Sequence, residues 1–323
     1  MNSIRAGIIG GAGYTGGEMI RLLIRHPNVD IRFVFSKSNA GKPVYTVHED
    51  LFGDTTLKFD AEWHSEVDVV FLCLGHGESK KFLEASGDRL DGVIIIDLSQ
   101  DFRLREEGNP FVYGLPELNR EAIRSAYAIA NPGCFATAIE LGLLPLAKAG
   151  LLEDVYTTGI TGSTGAGQSL SPTSHFSWRA NNIQAYKTLT HQHLKEIGQS
   201  LEQLQGATLA AVHFTPWRGD FTRGIFVSSQ LRCDKSPEDM LVLYEDFYRS
   251  HPFTLVSRTP ISLKQVVNTN KCLIQLEQSG RQLVIHSALD NLLKGASGQA
   301  VQNMNLLFGL EEATGLQLKA NAF

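Results

Sequence analysis

Four cysteines occur in this chain, and Cys134 stands apart from the others by what surrounds it. It follows Asn131-Pro132-Gly133 and opens Phe135-Ala136-Thr137-Ala138, so a strand-like run, Tyr127 to Asn131, turns through Pro-Gly into an apolar helical run. At the first turn of a helix, backbone N–H groups and the helix dipole favour thiolate over thiol, and thiolate is the nucleophile. Cys73, Cys233 and Cys272 lie in or beside apolar strand-like runs, the setting of inert buried thiols. Local context alone leaves Cys134 two roles: a reactive sulfur, or a small residue packing the base of a helix.

A thiol nucleophile needs an acid/base. Of the ten histidines, His191 and His193 sit where a helix begins, in Thr190-His191-Gln192-His193-Leu194-Lys195-Glu196. Glu196 follows His193 by one turn and can hold the imidazole in one tautomer, with a pKa suited to shuttling protons. Surface histidines at a helix start are the plain alternative. An alternating His pair is also a fragment of a zinc site, but no cysteine and carboxylate cluster completes it, and no metal is expected.

Near the N-terminus, Ile9-Gly10-Gly11-Ala12-Gly13-Tyr14-Thr15-Gly16 follows an apolar strand and opens a helix. Gly11, Gly13 and Gly16 have the GxGxxG spacing that lets a backbone approach a pyrophosphate resting on a helix N-terminus, and Gly10, Gly13 and Gly16 fit an equivalent frame. A dinucleotide is expected there. An NAD enzyme usually offers Asp or Glu about 20 residues further on; here the second strand ends in Ser36-Lys37-Ser38-Asn39. Hydroxyls and a cation suit a 2′-phosphate, so NADP is the expected cofactor. A second glycine and hydroxyl loop, Thr161 to Gly167, contains Gly165 and Ala166 and serves either as an anion nest or as an interdomain turn. Arg103, Lys187, Arg218 and Arg223 are the candidate cations for an anionic substrate. Asn131, a polar neighbour three residues before Cys134, joins them as a substrate-binding candidate.

These residues need elements to position them. Apolar strands at Ile4 to Ile9, Ile31 to Ser36, Asp68 to Leu74, Val93 to Leu98 and Tyr127 to Asn131, with helices at Tyr14 to His26 and Ser79 to Ala85, predict a parallel sheet covered on both faces. From about Val155 longer strand-like runs, Thr208 to Phe214, Gly224 to Arg232, Cys272 to Gln278 and Gln282 to Ala288, alternate with helices at His193 to Gln205 and Ser236 to His251. The fold class is α/β: an N-terminal Rossmann dinucleotide-binding domain plus an α+β catalytic domain with a mostly antiparallel sheet. The helical segment Gly298 to Phe308 is expected to return to the first domain. The domains are residues 1–133 with 300–323 for the cofactor, and 134–299 for catalysis and oligomerisation.

Composition narrows the function classes. A chain of 323 residues, 43% hydrophobic, can bury two cores. Net charge is -5 with no basic stripe, which argues against nucleic acid as partner. No run of about 18 apolar residues exists for a membrane span. Unpaired cysteine spacing and the lack of a secretory leader point to the cytoplasm.

Together these motifs resemble the N-acetyl-gamma-glutamyl-phosphate reductases, relatives of the aspartate-semialdehyde dehydrogenases. The similarity runs nearly the whole length, through Gly10 to Gly17, Asp97 to Arg103, Tyr113 to Glu117, Asn131 to Cys134, Gly165 to Gly167, Ala185 to Glu196, Asp290 to Gly295 and Gln302 to Leu306. The resemblance implies an NADP-dependent reductase of arginine biosynthesis, acting on a small acyl-phosphate substrate as a homo-oligomer, dimer or tetramer. It implies that Cys134 forms a thioester and that His193, favoured over His191, is the acid/base. The Gly10 to Gly16 loop, Ser36, Ser38, Gly75 and the Asn291 region are implied to hold the cofactor, with Arg103 and Lys187 for the substrate. Related semialdehyde dehydrogenases acting on aspartate or amino-adipate are the nearest alternatives; a non-catalytic NADP-binding regulator and a cysteine hydrolase are others. The chain departs from the family at Phe135-Ala136, at Lys195 and at Trp217 to Phe221, none of which removes a reacting group. The extra cation Arg218 suits an N-acyl chain carrying its own carboxylate.

Overall fold

The computed structural model describes residues 3–206 and 211–321. Its contacts divide the chain into two units, Met1–Pro132 with Ala296–Gln317, and Gly133–Gly295 with Leu318–Phe323.

The first unit is built on largely apolar strands, those at the centre of the sheet being the most buried. β1 (Ile4–Ile9), α1 (Tyr14–Leu23), β2 (Val29–Phe35), β3 (Val69–Leu72), α2 (Glu78–Ser86), β4 (Ile94–Asp97), β5 (Val112–Tyr113), α3 (Pro116–Arg124) and β6 (Ala128–Ala130) follow in order. The strands form a parallel sheet in the order β2-β1-β3-β4-β6-β5. Ile9, Phe33, Val70, Leu72 and Ile95 make a core from four neighbouring strands. α1 ends at Leu23, three residues short of the sequence expectation, and Pro27 disfavours helical backbone at the residue before it. α3 and β5 were not expected. Strand order reverses between β1 and β3, so the carboxyl ends of these strands flank the crevice where open α/β sheets take ligands.

The second unit begins with α4 (Cys134–Lys148), whose residues Phe135 to Ala147 are all buried. The chain continues through β7 (Val155–Thr161), α5 (Phe176–Arg179), β8 (Gln184–Ala185), α6 (His193–Gln205), β9 (Val212–Arg218), β10 (Ile225–Arg232), α7 (Pro237–Tyr248), β11 (Thr254–Ser257), β12 (Cys272–Ser279) and β13 (Gln282–Leu289). A turn of π-helix, Leu293–Ser297, then leads into α8 (Gly298–Leu307), which belongs to the first unit. The second sheet runs β11-β12-β13-β10-β7-β9-β8. It is mixed: β7 with β9 and β11 with β12 pair in parallel, and the other neighbours are antiparallel. Of the expected strand Thr208 to Phe214, residues Thr208 to Ala210 lie outside the described residues, and β9 runs on to Arg218.

α4 carries Pro145, which lacks the N–H that would bond the Leu141 carbonyl. Tyr248 donates its hydroxyl proton to that carbonyl, and Tyr244 does the same for Gly142 at 2.6 Å. Ser287 on β13 bonds the Ala138 carbonyl at 2.6 Å. The helix that opens with Cys134 is thereby fixed in register against its surroundings.

Candidate active site

In the second unit, α4 and α6 pack against each other with their first residues, Cys134 and His193, at neighbouring ends. A side chain on Gly133 would place its Cβ 2.4 Å from His193 Nε2, so glycine is what lets the imidazole lie against the turn that carries the sulfur. Glu196 accepts the Gly133 N–H through Oε2 at 3.0 Å, and its Oε1 lies 3.8 Å from His193 Nε2. One carboxylate from α6 thus caps α4 at the residue before Cys134 and faces the imidazole. Cys134 is partly exposed, and the other three cysteines are buried.

His191 is placed differently. Its Nδ1 accepts the His193 backbone N–H at 3.2 Å, and rings of Phe135, Tyr186, Phe214 and His193 surround it at centroid distances of 4.5 to 5.8 Å. Burial, with the nearby Lys187 charge, pushes its pKa down to about 4. It is therefore neutral at pH 7, and its inner nitrogen is occupied in orienting α6. Phe135 fills the space between His191 and Phe214 and is 1% exposed.

Tyr186 lies within electrostatic reach of Cys134, and burial pushes its hydroxyl well up. The Arg218 guanidinium sits 4.7 Å from the Tyr186 ring centroid, on the last residue of β9. Lys187 donates to Gln192 Oε1 at 2.8 Å from a left-handed backbone, φ 45°. Arg223, a sequence candidate for substrate, instead forms a bidentate pair with buried Asp290, both bonds at 3.1 Å. That partner lies 67 positions away in sequence, which local context did not reveal.

Gly165 and Ala166 lie in a short helical turn after β7. Asn291 secures that loop, donating to Thr164 Oγ1 at 3.0 Å and accepting the Gly224 N–H at 2.6 Å.

The remaining predicted residues belong to the first unit. Gly10 has φ 83°, and a Cβ there would stand 2.5 Å from the Cys73 carbonyl oxygen. Gly10 and Gly11 donate their N–H groups to the Phe35 carbonyl at 3.2 and 3.1 Å, so the loop lies over the ends of β1 and β2. Gly13 caps α1 without a side-chain hydrogen bond, and Tyr14, Thr15 and Gly16 form its first turn. Gly75 follows β3 across the reversal of strand order and is exposed. Ser36 and Ser38 both accept from Asn39 Nδ2, at 3.4 and 3.2 Å, while Lys37 is exposed beside them. Lys42, reaching Asn39 Oδ1 at 3.4 Å, is a second cation that sequence reading passed over. His48 was likewise not read from the sequence; its ring bonds the Gly11 carbonyl at 2.7 Å, and burial keeps it less basic than usual.

A backbone cradle at the strand-order reversal, an amide-lined helix start, and hydroxyls with cations where an acid would select NAD all fit NADP. Arg103 and Asn131 also fall in this unit, and each already has structural partners. Arg103 bonds the Asn131 and Leu98 carbonyls at 2.9 and 3.1 Å; Asn131 donates to the Ala296 carbonyl at 3.0 Å and accepts from Asn303 at 3.2 Å.

Comparison with known proteins follows the same division. Residues 5–126 match the model of the semialdehyde dehydrogenase NAD-binding domain, and residues 134–291 that of the semialdehyde dehydrogenase dimerisation domain. The chain is 56% identical over 321 residues to the N-acetyl-gamma-glutamyl-phosphate reductase of Christiangramia forsetii, covering 99% of this chain and all of that one. It is 56% identical over 322 residues, with the same coverage, to the protein of that name from Phocaeicola vulgatus. Among solved structures, aspartate semialdehyde dehydrogenase II of Vibrio cholerae superposes with a TM-score of 0.77 at 20% identity, over 96% of this chain and 99% of that one. Aspartate semialdehyde dehydrogenase of Candida albicans, solved with NADP, gives 0.69 at 17%, over 95% and 99%. At those identities the likeness is one of fold.

Proposed function

The chain belongs to the N-acetyl-gamma-glutamyl-phosphate reductases of the semialdehyde dehydrogenase family, and from that premise we propose that it reduces an N-acyl-gamma-glutamyl phosphate through a thioester on Cys134. The products are the N-acyl-glutamate semialdehyde and inorganic phosphate, a step of arginine biosynthesis. The observation that carries this reading is the packing of His193 against Gly133, the residue before Cys134, at two helix starts tied by Glu196.

His193 takes the thiol proton, and the sulfur attacks the acyl carbon. A C–S bond forms, the C–O bond to phosphate breaks, and the departing oxygen leaves with the electron pair and receives the proton from His193. Loops Gly10 to Gly16, Ser36 to Ser38 and Gly75 would hold NADPH, which supplies the hydride that brings the thioester to the aldehyde level. Collapse of the thiohemiacetal re-forms the carbonyl and releases the Cys134 thiolate, and His193 relays a proton back to it. One proton is taken up overall. Glu196 holds the imidazole toward the sulfur-bearing turn, and His191 stays neutral and aligns α6.

Gly165, Ala166 and Asn291 form a second support for the cofactor in this reading, and Lys187 with Arg218 supplies positive charge for the substrate. Arg103 and Asn131 serve by shaping the end of β6. The dimerisation-domain match supports a homo-oligomer. Among the described residues no helix is long and apolar enough to cross a membrane. A mechanism that depends on a reduced thiol supports a cytoplasmic setting.

The test runs the reaction backwards, following phosphate-dependent reduction of NADP by N-acetyl-glutamate semialdehyde. Cys134→Ser should lower kcat by about 10⁴-fold or more while NADP still binds. Retained turnover in that variant would refute the thioester mechanism.

A further inference from the structure

Arg179, the last residue of α5, is a cation that the chemistry at sulfur does not use. Its Nη2 donates to the Gly219 carbonyl, yet its Nε and Nη1 are buried and make no hydrogen bond. A guanidinium presents its donors as a planar fork matched to carboxylate, and buried donors left unmatched are costly. The fold also sets it beside a like charge. Gly219 follows Arg218 in the chain, and pairing of Gln184 with Arg218 brings the segment after α5 alongside the end of β9. Desolvation and the Arg218 charge hold Arg179 below its ordinary pKa, and Asp220 is the acid that opposes them. Asp220 accepts the Asn181 N–H at 2.6 Å. Two guanidiniums against one carboxylate leave a net positive charge.

This charge lies on the side of the proposed acid/base. Arg218 stacks on Tyr186, the Tyr186 ring meets His191 at 5.8 Å, and His191 meets His193 at 4.5 Å. We propose that Arg179 and Arg218 together seat a carboxylate of the substrate, at the end remote from the acyl carbon that Cys134 attacks. The proposal rests on the acyl-glutamyl reading above. The carboxylate has two chemical sources: the α-carboxylate of the glutamyl skeleton, or the far end of a dicarboxylic N-acyl chain.

The experiment uses the full-length enzyme in the reverse direction, with N-acetyl-glutamate semialdehyde, its α-carboxamide and N-succinyl-glutamate semialdehyde as substrates. Arg179→Gln should raise KM for the carboxylate-bearing substrates by about tenfold or more, change kcat less than about threefold, and leave KM for phosphate alone. Arg218→Gln should shift KM in the same direction, and Arg179→Lys should restore part of the loss. If the α-carboxylate is the one bound, the carboxamide is a poor substrate for the native enzyme and Arg179→Gln makes it no worse. If the acyl chain supplies it, the native enzyme prefers the succinyl compound and the variant loses that preference.

The proposal is overturned if folded Arg179→Gln and Arg218→Gln keep every semialdehyde KM within about twofold of native. It is equally overturned if KM for phosphate is what rises. Should Arg179→Gln not fold, Arg179→Lys and Arg218→Gln decide by the same measure. Failure of the functional reading looks different, since the native enzyme would then turn over none of the three compounds.

Discussion

Cys73 and Cys134 each follow closely on a strand of the parallel sheet, β3 and β6, and they have opposite fates. Cys73 is 7% exposed; its N–H bonds the Ile9 carbonyl, and burial pushes its thiol up to about 12. Cys134 comes after a Pro-Gly turn that leads the chain out of the first unit, and it stands partly exposed at the head of a fifteen-residue helix. The residue type is the same. What differs is the peptide geometry that follows the strand: a loop that leaves the sulfur buried, or a helix start that leaves it partly exposed. On the proposed reading, reactivity is a property of that backbone placement.

Alkylation offers the sharpest way to break this contrast. With a pKa of about 12, Cys73 is ionised to only about one part in 10⁵ at pH 7, so iodoacetamide should modify Cys134 at least about 10³-fold faster. Comparable labelling of both, read by peptide mass, would remove the distinction. Next in size is His193→Asn, expected to lower kcat by about 10² to 10⁴-fold and to flatten the pH profile on its acid side. An unchanged profile would move the acid/base role elsewhere.

A third test concerns the aromatic surround of His191. His191 titrates near 4 in the fold against about 6.5 when unfolded, so the unfolded chain binds more protons between those values. Stability is full above pH 6.5 and falls as pH drops toward 4, by on the order of 3 kcal/mol. His191→Asn, which keeps an acceptor for the His193 N–H, should remove much of that acid sensitivity in urea melts; an identical pH dependence would contradict the burial argument. Smallest is Cys73→Ala, expected to cost about 1 kcal/mol in a denaturant midpoint and to leave turnover unchanged. A large activity loss would give Cys73 a role the geometry does not.

Elements whose pattern is local were legible from sequence alone. β1 ends at Ile9, where Gly10-Gly11 follow a mainly apolar run, and α6 spans His193 to Gln205 with one apolar face. The glycine turn before α1 and the Pro-Gly turn before α4 were readable for the same reason, since turn chemistry is written within a few residues. α4 was visible only as an apolar run: buried on every side, it has no polar face to set a helical period. β5 and β8, two residues each, carry too little pattern to register. Arg179 was invisible because its neighbours, Arg218 and Gly219, arrive through the pairing of β8 with β9. The pairing of Arg223 with Asp290, which follows β13, was invisible for the same reason.

The burial of α4 has a consequence for how this molecule can change over generations. In many enzymes the reacting side chains ride on surface loops, which drift while the scaffold beneath stays put. Here the helix that opens with the proposed nucleophile is also the central packing element of its unit, held by Tyr244, Tyr248 and Ser287. A methyl group gained or lost beside Leu141 or Leu143 is felt along a stiff rod whose end is the sulfur. Repacking and retuning are one event, so variants of the interior are screened by turnover as strictly as by folding.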